Sequence, residues 1–96
     1  MAFAAFEVPG PDVPKGNQVL ADDAVSRLTI VIKDGADFGL SKGSMLIFLE
    51  GDADKVHRAE DLFKDFAKRA KDEASIRARI KQEEDEAAGG VGFVFG

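Results

Sequence analysis

The sequence contains no cysteine, tryptophan or tyrosine, and it has only one histidine. Without cysteine the chain cannot form disulfide bonds, bind a metal through thiolates or use a cysteine nucleophile. No apolar run approaches the ~20 residues that a membrane-spanning helix needs. The first ten residues lack the basic region of a signal peptide. These absences predict a cytoplasmic protein without a membrane partner.

The charge of the chain is negative overall but unevenly distributed. The formal net charge is −5, which disfavours a general electrostatic grip on nucleic acid. Residues 64–81 nevertheless carry seven basic and three acidic side chains, a local excess of four positive charges. A solvated helix of mixed charge explains this stretch, and an anion or RNA contact is the alternative. Its candidate residues are Lys64, Lys68, Arg69, Lys71, Arg77 and Arg79.

Alternating apolar residues predict three strands before the first long helix. Residues 1–8 alternate loosely, and residues 26–35 place Leu28, Ile30 and Ile32 on one face. Residues 45–49 are apolar on both faces, so this strand should lie inside a sheet or meet a partner. Between the first two strands, three prolines and several glycines predict a loop over 9–23.

An amphipathic stripe predicts helix over residues 52–88. Val56, Ala59, Phe63 and Phe66 recur at helical spacing after Asp52, whose carboxylate suits a helix N-terminus. Ile76 and Ile80 lie out of phase with this stripe, so the helix changes partners, bends or breaks near residues 71–75. The glycines at 89 and 90 predict its end.

The last six residues, "VGFVFG", have the periodicity of a strand. Val91, Phe93 and Phe95 alternate with Gly92, Val94 and Gly96, which places large residues on one face and mostly small ones on the other. We therefore predict a C-terminal strand over 91–95. Glycine in a strand permits the close approach of another backbone.

Together these elements predict one small α+β domain over residues 1–96. The expected architecture is a two-layer sandwich, in which one long helix, straight or kinked, packs on a mixed sheet of about four strands. The pattern leaves open whether the last strand pairs within the chain or between chains.

Motifs that resemble catalytic or ligand sites have simpler explanations. "GLSKGS" at residues 39–44 has the wrong order for a phosphate loop, although its N–H groups and Lys42 could hold a small anion. His57 can pair with Glu60 or Asp61 on one helix face but lacks the ligands of a metal site. We predict no metal, no cofactor and no catalytic residue.

One segment carries a family resemblance. "LIFLEGDADKVHRAEDLFKDF" resembles the strand–glycine–helix unit of KH-like RNA-binding domains. The GXXG loop of the KH domain is missing, and no helix pair precedes the unit. No RNA-contacting residue is carried over from this resemblance, and it assigns no family.

These observations predict a non-enzymatic structural or protein-interaction module that associates with itself or joins a larger complex. Sheet edges or exchanged terminal strands would make the contact, because the chain has more apolar surface than two layers hide. The alternative is a small nucleic-acid or anion-binding domain that uses residues 64–81. The candidate interface residues are Val91, Phe93, Phe95, Phe3, Phe6, Ile76 and Ile80.

Overall fold

The computed structural model describes residues 1–84 in full and gives, for residues 85–95, only their place within a helix. Over residues 1–95 the chain forms four strands, β1 (Ala2–Val8), β2 (Thr29–Asp34), β3 (Met45–Gly51) and β4 (Lys68–Arg69). Its α-helices are α1 (Val13–Leu20), α2 (Ala53–Phe63) and α3 (Glu73–Phe95). The α+β class predicted from the sequence is confirmed.

The strands form one sheet in the order β2–β3–β1–β4. Every neighbouring pair of strands is antiparallel, so the prediction of a mixed sheet is wrong. β3 pairs on one side with β1 and on the other with β2. This confirms the interior position that the apolar residues on both faces of 45–49 predicted.

One face of the sheet meets α1 and α2 in what we call the first core. It contains Phe6 and Phe63, whose rings stack with centroids 4.7 Å apart. α2 begins where the Asp52 carboxylate accepts a hydrogen bond from the Asp54 N–H at 2.9 Å. The stripe predicted from the sequence, including Val56, then faces the sheet because its residues recur every three or four positions.

The opposite face of the sheet meets α3 in the second core. Leu46 and Phe48 of β3 pack there against Ile76 and Ile80. The two isoleucines are 7% and 0% exposed, so the chain itself covers them. The predicted two-layer sandwich is therefore wrong, because helices cover both faces and the architecture has three layers.

The single long helix predicted over 52–88 is also wrong. α2 ends at Phe63, and the chain then turns and adds β4 to the edge of β1. The Ala70 N–H donates to the Ala5 carbonyl at 2.9 Å, which fixes this short strand. The phase change at Ile76 and Ile80 marks a new helix that starts at Glu73 and packs on the other face.

The loop predicted over 9–23 contains α1. Pro14 lies in the first turn of this helix, where its missing N–H costs no helical hydrogen bond. Val13, Val19 and Leu20 pack against the first core. Proline therefore starts a helix here, and the prediction that it ends regular structure is wrong. The bounds of α3 extend over the strand predicted at 91–95, whose side chains lie outside the described residues.

A buried carboxylate fastens α3 to the sheet. Glu50 of β3 is 6% exposed, and its oxygens contact Arg77 Nε at 2.7 Å and Lys81 Nζ at 2.8 Å. The hydrogen bond from Lys81, together with Arg77, holds the pKa of Glu50 below its ordinary value. Burial of the carboxylate opposes this shift, since desolvation disfavours the charged form.

Candidate anion-binding cleft

A cleft of about 450 Å³ opens on the second face of the sheet, beside β4. Its walls come from four separate parts of the chain: the end of β1, the loop between β2 and β3, β4 with the residues after it, and the first turns of α3. The lining residues are Glu7, Phe38, Leu40, Lys68, Arg69, Ala70, Lys71, Asp72, Ser75, Ile76 and Arg79. We call this site the cleft.

The floor of the cleft is apolar. Ala70 and Ile76 are buried and belong to the second core, and the half-buried Phe38 and Leu40 pack against that core from the β2–β3 loop. Arg79 lies over the Phe38 ring at 4.2 Å from its centroid, and its guanidinium also donates to the Asp37 carbonyl. This contact ties the loop to α3 and forms one wall.

Four cationic and two anionic side chains surround this floor, which gives the lining a formal excess of two positive charges. Two of the four cations are already paired with carboxylates outside the lining, Arg69 with Glu60 and Glu73, and Arg79 with Glu83. The cations of the lining that remain for a negatively charged group are therefore Lys68 and Lys71.

Arg69 is occupied by contacts within the protein. Its guanidinium contacts Glu60 of α2 at 2.9 Å and Glu73 of α3 at 2.7 Å, and it lies 5.6 Å from the Phe6 ring centroid. The hydrogen bonds that Arg69 donates to Glu73 raise the pKa of Arg69. The side chain thus joins α2, β4 and α3 around the edge of the sheet.

Glu73 has a second function at this edge. β4 contains only two residues, so β1 extends beyond it and needs other partners. The Glu73 carboxylate accepts a hydrogen bond from the Ala5 N–H at 2.8 Å. It therefore satisfies a strand-edge donor that would otherwise be exposed at the end of the ladder.

Lys68 and Lys71 differ from Arg69 because neither forms an ion pair within residues 1–84. Both side chains are exposed at the rim. Glu7 is the cross-strand partner of Lys68 in the register of β1 and β4, and the charge of Lys68 helps to lower the pKa of Glu7. Two ammonium groups on the rim are thus available to a ligand.

The carboxylate of Glu7 lies between the cleft and the "GLSKGS" loop. It accepts a hydrogen bond from the Ser41 N–H at 2.8 Å. That bond is the main reason why the pKa of Glu7 is below its ordinary value, and Lys68 adds to the effect. Glu7 is therefore an anion within the chain that the backbone of this loop binds.

The structure brings together four of the six basic residues predicted as an anion site. Lys68, Arg69, Lys71 and Arg79 line the cleft. Lys64 is the C-cap of α2 and points to solvent, and Arg77 binds Glu50 outside the cleft. Glu7, Phe38, Leu40, Asp72 and Ser75 were not predicted to belong to a site, because their positions depend on how separate segments pack.

Three of the residues predicted at a protein interface are buried inside the chain. Phe6, Ile76 and Ile80 are buried in the chain's own cores, and Phe3 is half-buried with its ring centroid 6.0 Å from that of Phe48. Their coverage removes the reason for assigning them to a protein interface. Val91, Phe93 and Phe95 lie outside the residues described in full.

Within the described residues, no group of three or more histidine, cysteine, aspartate or glutamate side chains is arranged to hold a metal ion. His57 is exposed on α2. In the same part of the chain, no helix combines the length and the apolar character needed to cross a membrane.

Comparison with known proteins gives no relative. No protein-family model matches the chain, and the searches of curated proteins and of solved structures gave no match.

Proposed function

We propose that this protein is a non-enzymatic binding module whose cleft takes a negatively charged group attached to an apolar body. The observation that supports this most is the pair Lys68 and Lys71, which stand at the rim of an apolar floor without ion-pair partners among residues 1–84. The sequence predicted an anion-binding surface along the basic stretch 64–81. The site proposed here is smaller and uses only those residues of the stretch that line the cleft.

The chemistry of the cleft favours a ligand of two parts. Burial of an apolar body against Leu40 and Ile76 contributes affinity in proportion to the area removed from water. A carboxylate, sulfonate or phosphate next to it would receive charge-assisted hydrogen bonds from the two ammonium groups. The volume of about 450 Å³ lies within the range of ordinary small-ligand sites.

Titration with 8-anilinonaphthalene-1-sulfonate tests this proposal, because the probe combines aromatic rings with a sulfonate. We expect saturable fluorescence enhancement at low salt. The variants Lys68→Glu and Lys71→Glu should each weaken binding by about tenfold, which corresponds to loss of one charge-assisted contact of about 1.4 kcal/mol. Added salt should also weaken binding to the wild type.

Lys64→Glu is the matched control, since it makes the same charge change at an exposed residue outside the cleft. It should weaken binding clearly less than either cleft variant, because Lys64 does not line the cleft and cannot donate a hydrogen bond to a ligand there. If all three variants weakened probe binding equally, binding would depend only on the net charge of the protein, and the proposal of a specific site would be wrong.

A second candidate function is self-association through the free edge of β2. The Gly35 N–H donates to the Ser44 carbonyl, so alternation along the antiparallel ladder directs the N–H and C=O groups of Ile30 and Ile32 away from β3. Ile32 is also 49% exposed. An edge with these features suits the addition of a strand from another molecule.

Ile32→Pro tests this candidate, because it removes an outward donor without removing a hydrogen bond to β3. If β2 edges pair, sedimentation should show dimers for the wild type and for Ile32→Val, and monomers for Ile32→Pro. Dimers of unchanged stability in Ile32→Pro would exclude this edge as the contact.

A further inference from the structure

Building on the proposed anion-binding function, we infer that the cleft binds the 84–96 segment of a second copy of this chain. The resulting contact runs head to tail, because the cleft of one copy and the segment of the next are different surfaces. The inference combines the course of α3 across the sheet with the chemical match between segment and cleft.

α3 begins at one edge of the sheet and reaches the other. Glu73 contacts Ala5 and Arg69 at the β1–β4 edge. Ten residues later, Glu83 contacts Lys33 of β2, which forms the opposite edge, at 3.4 Å. Ten helical residues span about 15 Å, and three inter-strand spacings of about 4.8 Å span a similar distance.

The cleft and the start of the segment therefore lie on opposite sides of the same molecule. The cleft opens beside β4, whereas α3 has already crossed to β2 when residue 84 is reached. The bounds of α3, Glu73–Phe95, continue the helix from there. To enter the cleft of its own copy the segment would have to reverse over the second face, but the cleft of a neighbouring molecule requires no reversal.

The segment has the composition that the cleft selects. It opens with three carboxylates, Glu84, Asp85 and Glu86, and continues with four large apolar residues. Those apolar residues are Val91, Phe93, Val94 and Phe95. The carboxylates match the exposed Lys68 and Lys71, and the apolar residues match the floor around Leu40 and Ile76.

The charge pattern also explains why a specific contact is needed. Two copies with a net charge of −5 repel each other at long range, so association requires local complementarity of opposite sign. A heterologous contact of this kind forms open chains or rings and does not stop at a dimer unless the rotation closes the assembly.

Two variants of the full chain test the inference together. Phe93→Ser/Phe95→Ser keeps the cleft and alters the segment, whereas Lys68→Glu/Lys71→Glu keeps the segment and alters the cleft. In analytical ultracentrifugation we expect the wild type to gain mass beyond the dimer as its concentration rises. Each variant alone should stay monomeric, and an equimolar mixture should form a 1:1 heterodimer that grows no further.

The controls separate this contact from the other candidates. Lys64→Glu and Ile32→Pro should assemble as the wild type does, because neither changes the cleft or the segment. Thermal unfolding of every variant checks that the chain still folds. Assembly of the cleft variant by itself, or a mixture that remains monomeric, would overturn the inference.

The probe 8-anilinonaphthalene-1-sulfonate distinguishes failure of this inference from failure of the proposed function. Probe binding by Phe93→Ser/Phe95→Ser with no heterodimer would keep the cleft as an anion site and reject the segment as its ligand. A monomeric wild type that binds the probe at least tenfold more weakly than this variant would show the segment in its own cleft, which also overturns the inference.

Discussion

The two faces of the sheet are covered by helices in different ways. On the first face, α1 and α2 pack through aromatic and aliphatic side chains such as Phe6, Phe63 and Val56. On the second face, α3 adds Ile76 and Ile80 to a smaller core and is also held by the buried Glu50. The first attachment is apolar, whereas the second combines apolar and ionic contacts.

The two faces also differ in the charged residues that line their surface hollows. The first face has one of about 540 Å³ beside α1 and α2, whose lining includes Lys15 and Asp22, one charge of each sign. The cleft on the second face has two exposed lysines, Lys68 and Lys71, without ion-pair partners among residues 1–84. The first face mainly stabilises the fold, and the recognition site that we propose lies on the second face.

The largest effect should follow from damage to the first core. Phe63→Ala removes a fully buried ring that stacks on Phe6 and should lower the free energy of unfolding by ~3–5 kcal/mol. Phe66→Ala, at a half-buried position, is the control and should cost clearly less. Urea denaturation measures both. If both variants lost the same free energy of unfolding, the first core would not be the main source of stability.

A smaller effect should follow from removing the cations that hold α3. Arg77→Met/Lys81→Met leaves the Glu50 carboxylate buried without its partners and should cost about 3 kcal/mol. Adding Glu50→Met to this variant should restore most of the loss, because an apolar group then replaces the unpaired charge. Urea denaturation measures the three chains together.

The matched control for that experiment is Lys15→Met/Arg27→Met. These side chains form exposed ion pairs with Asp12 and Asp23, and their removal should change stability by less than about 1 kcal/mol. If the two double variants were equally stable, the buried carboxylate would not be what fastens α3.

The smallest effect is the dependence of stability on pH. The pKa of Glu50 is lowered in the folded chain, so its contribution is fully present above the ordinary value of 4.5 and is lost as the pH falls through the folded pKa. We expect unfolding to become easier below about pH 4.5, and Glu50→Gln to show a smaller loss over the same window. An identical acid profile in Glu50→Gln would exclude this carboxylate as a contributor.

Some elements could be predicted because their patterns are local. The alternation in residues 26–35 predicted β2, the unbroken apolar run at 45–49 predicted β3, and the stripe from Val56 to Phe63 predicted α2. β4 could not be predicted, since a two-residue strand has no periodicity and forms only where β1 is available. α1 was missed because Pro14 can either start a helix or interrupt one.

The site was predictable only in part, for a similar reason. The excess of basic residues over 64–81 identified four lining residues, because β4 and the start of α3 lie in that stretch. Glu7 and Phe38 come from distant parts of the chain, and nothing local marks them. Ile76 and Ile80 suggested an interface because their out-of-phase spacing was visible, whereas the sheet face that covers them was not.

Nuclear magnetic resonance of the full chain during titration with 8-anilinonaphthalene-1-sulfonate tests the central claim most directly. We predict that the amide signals that shift will be confined to residue 7 and residues 38–41, 68–72 and 75–79, which surround the cleft. Shifts confined to residues 15–22 and 62–66, around the hollow on the first face, would contradict the claim, as would a titration that moves no amide signal.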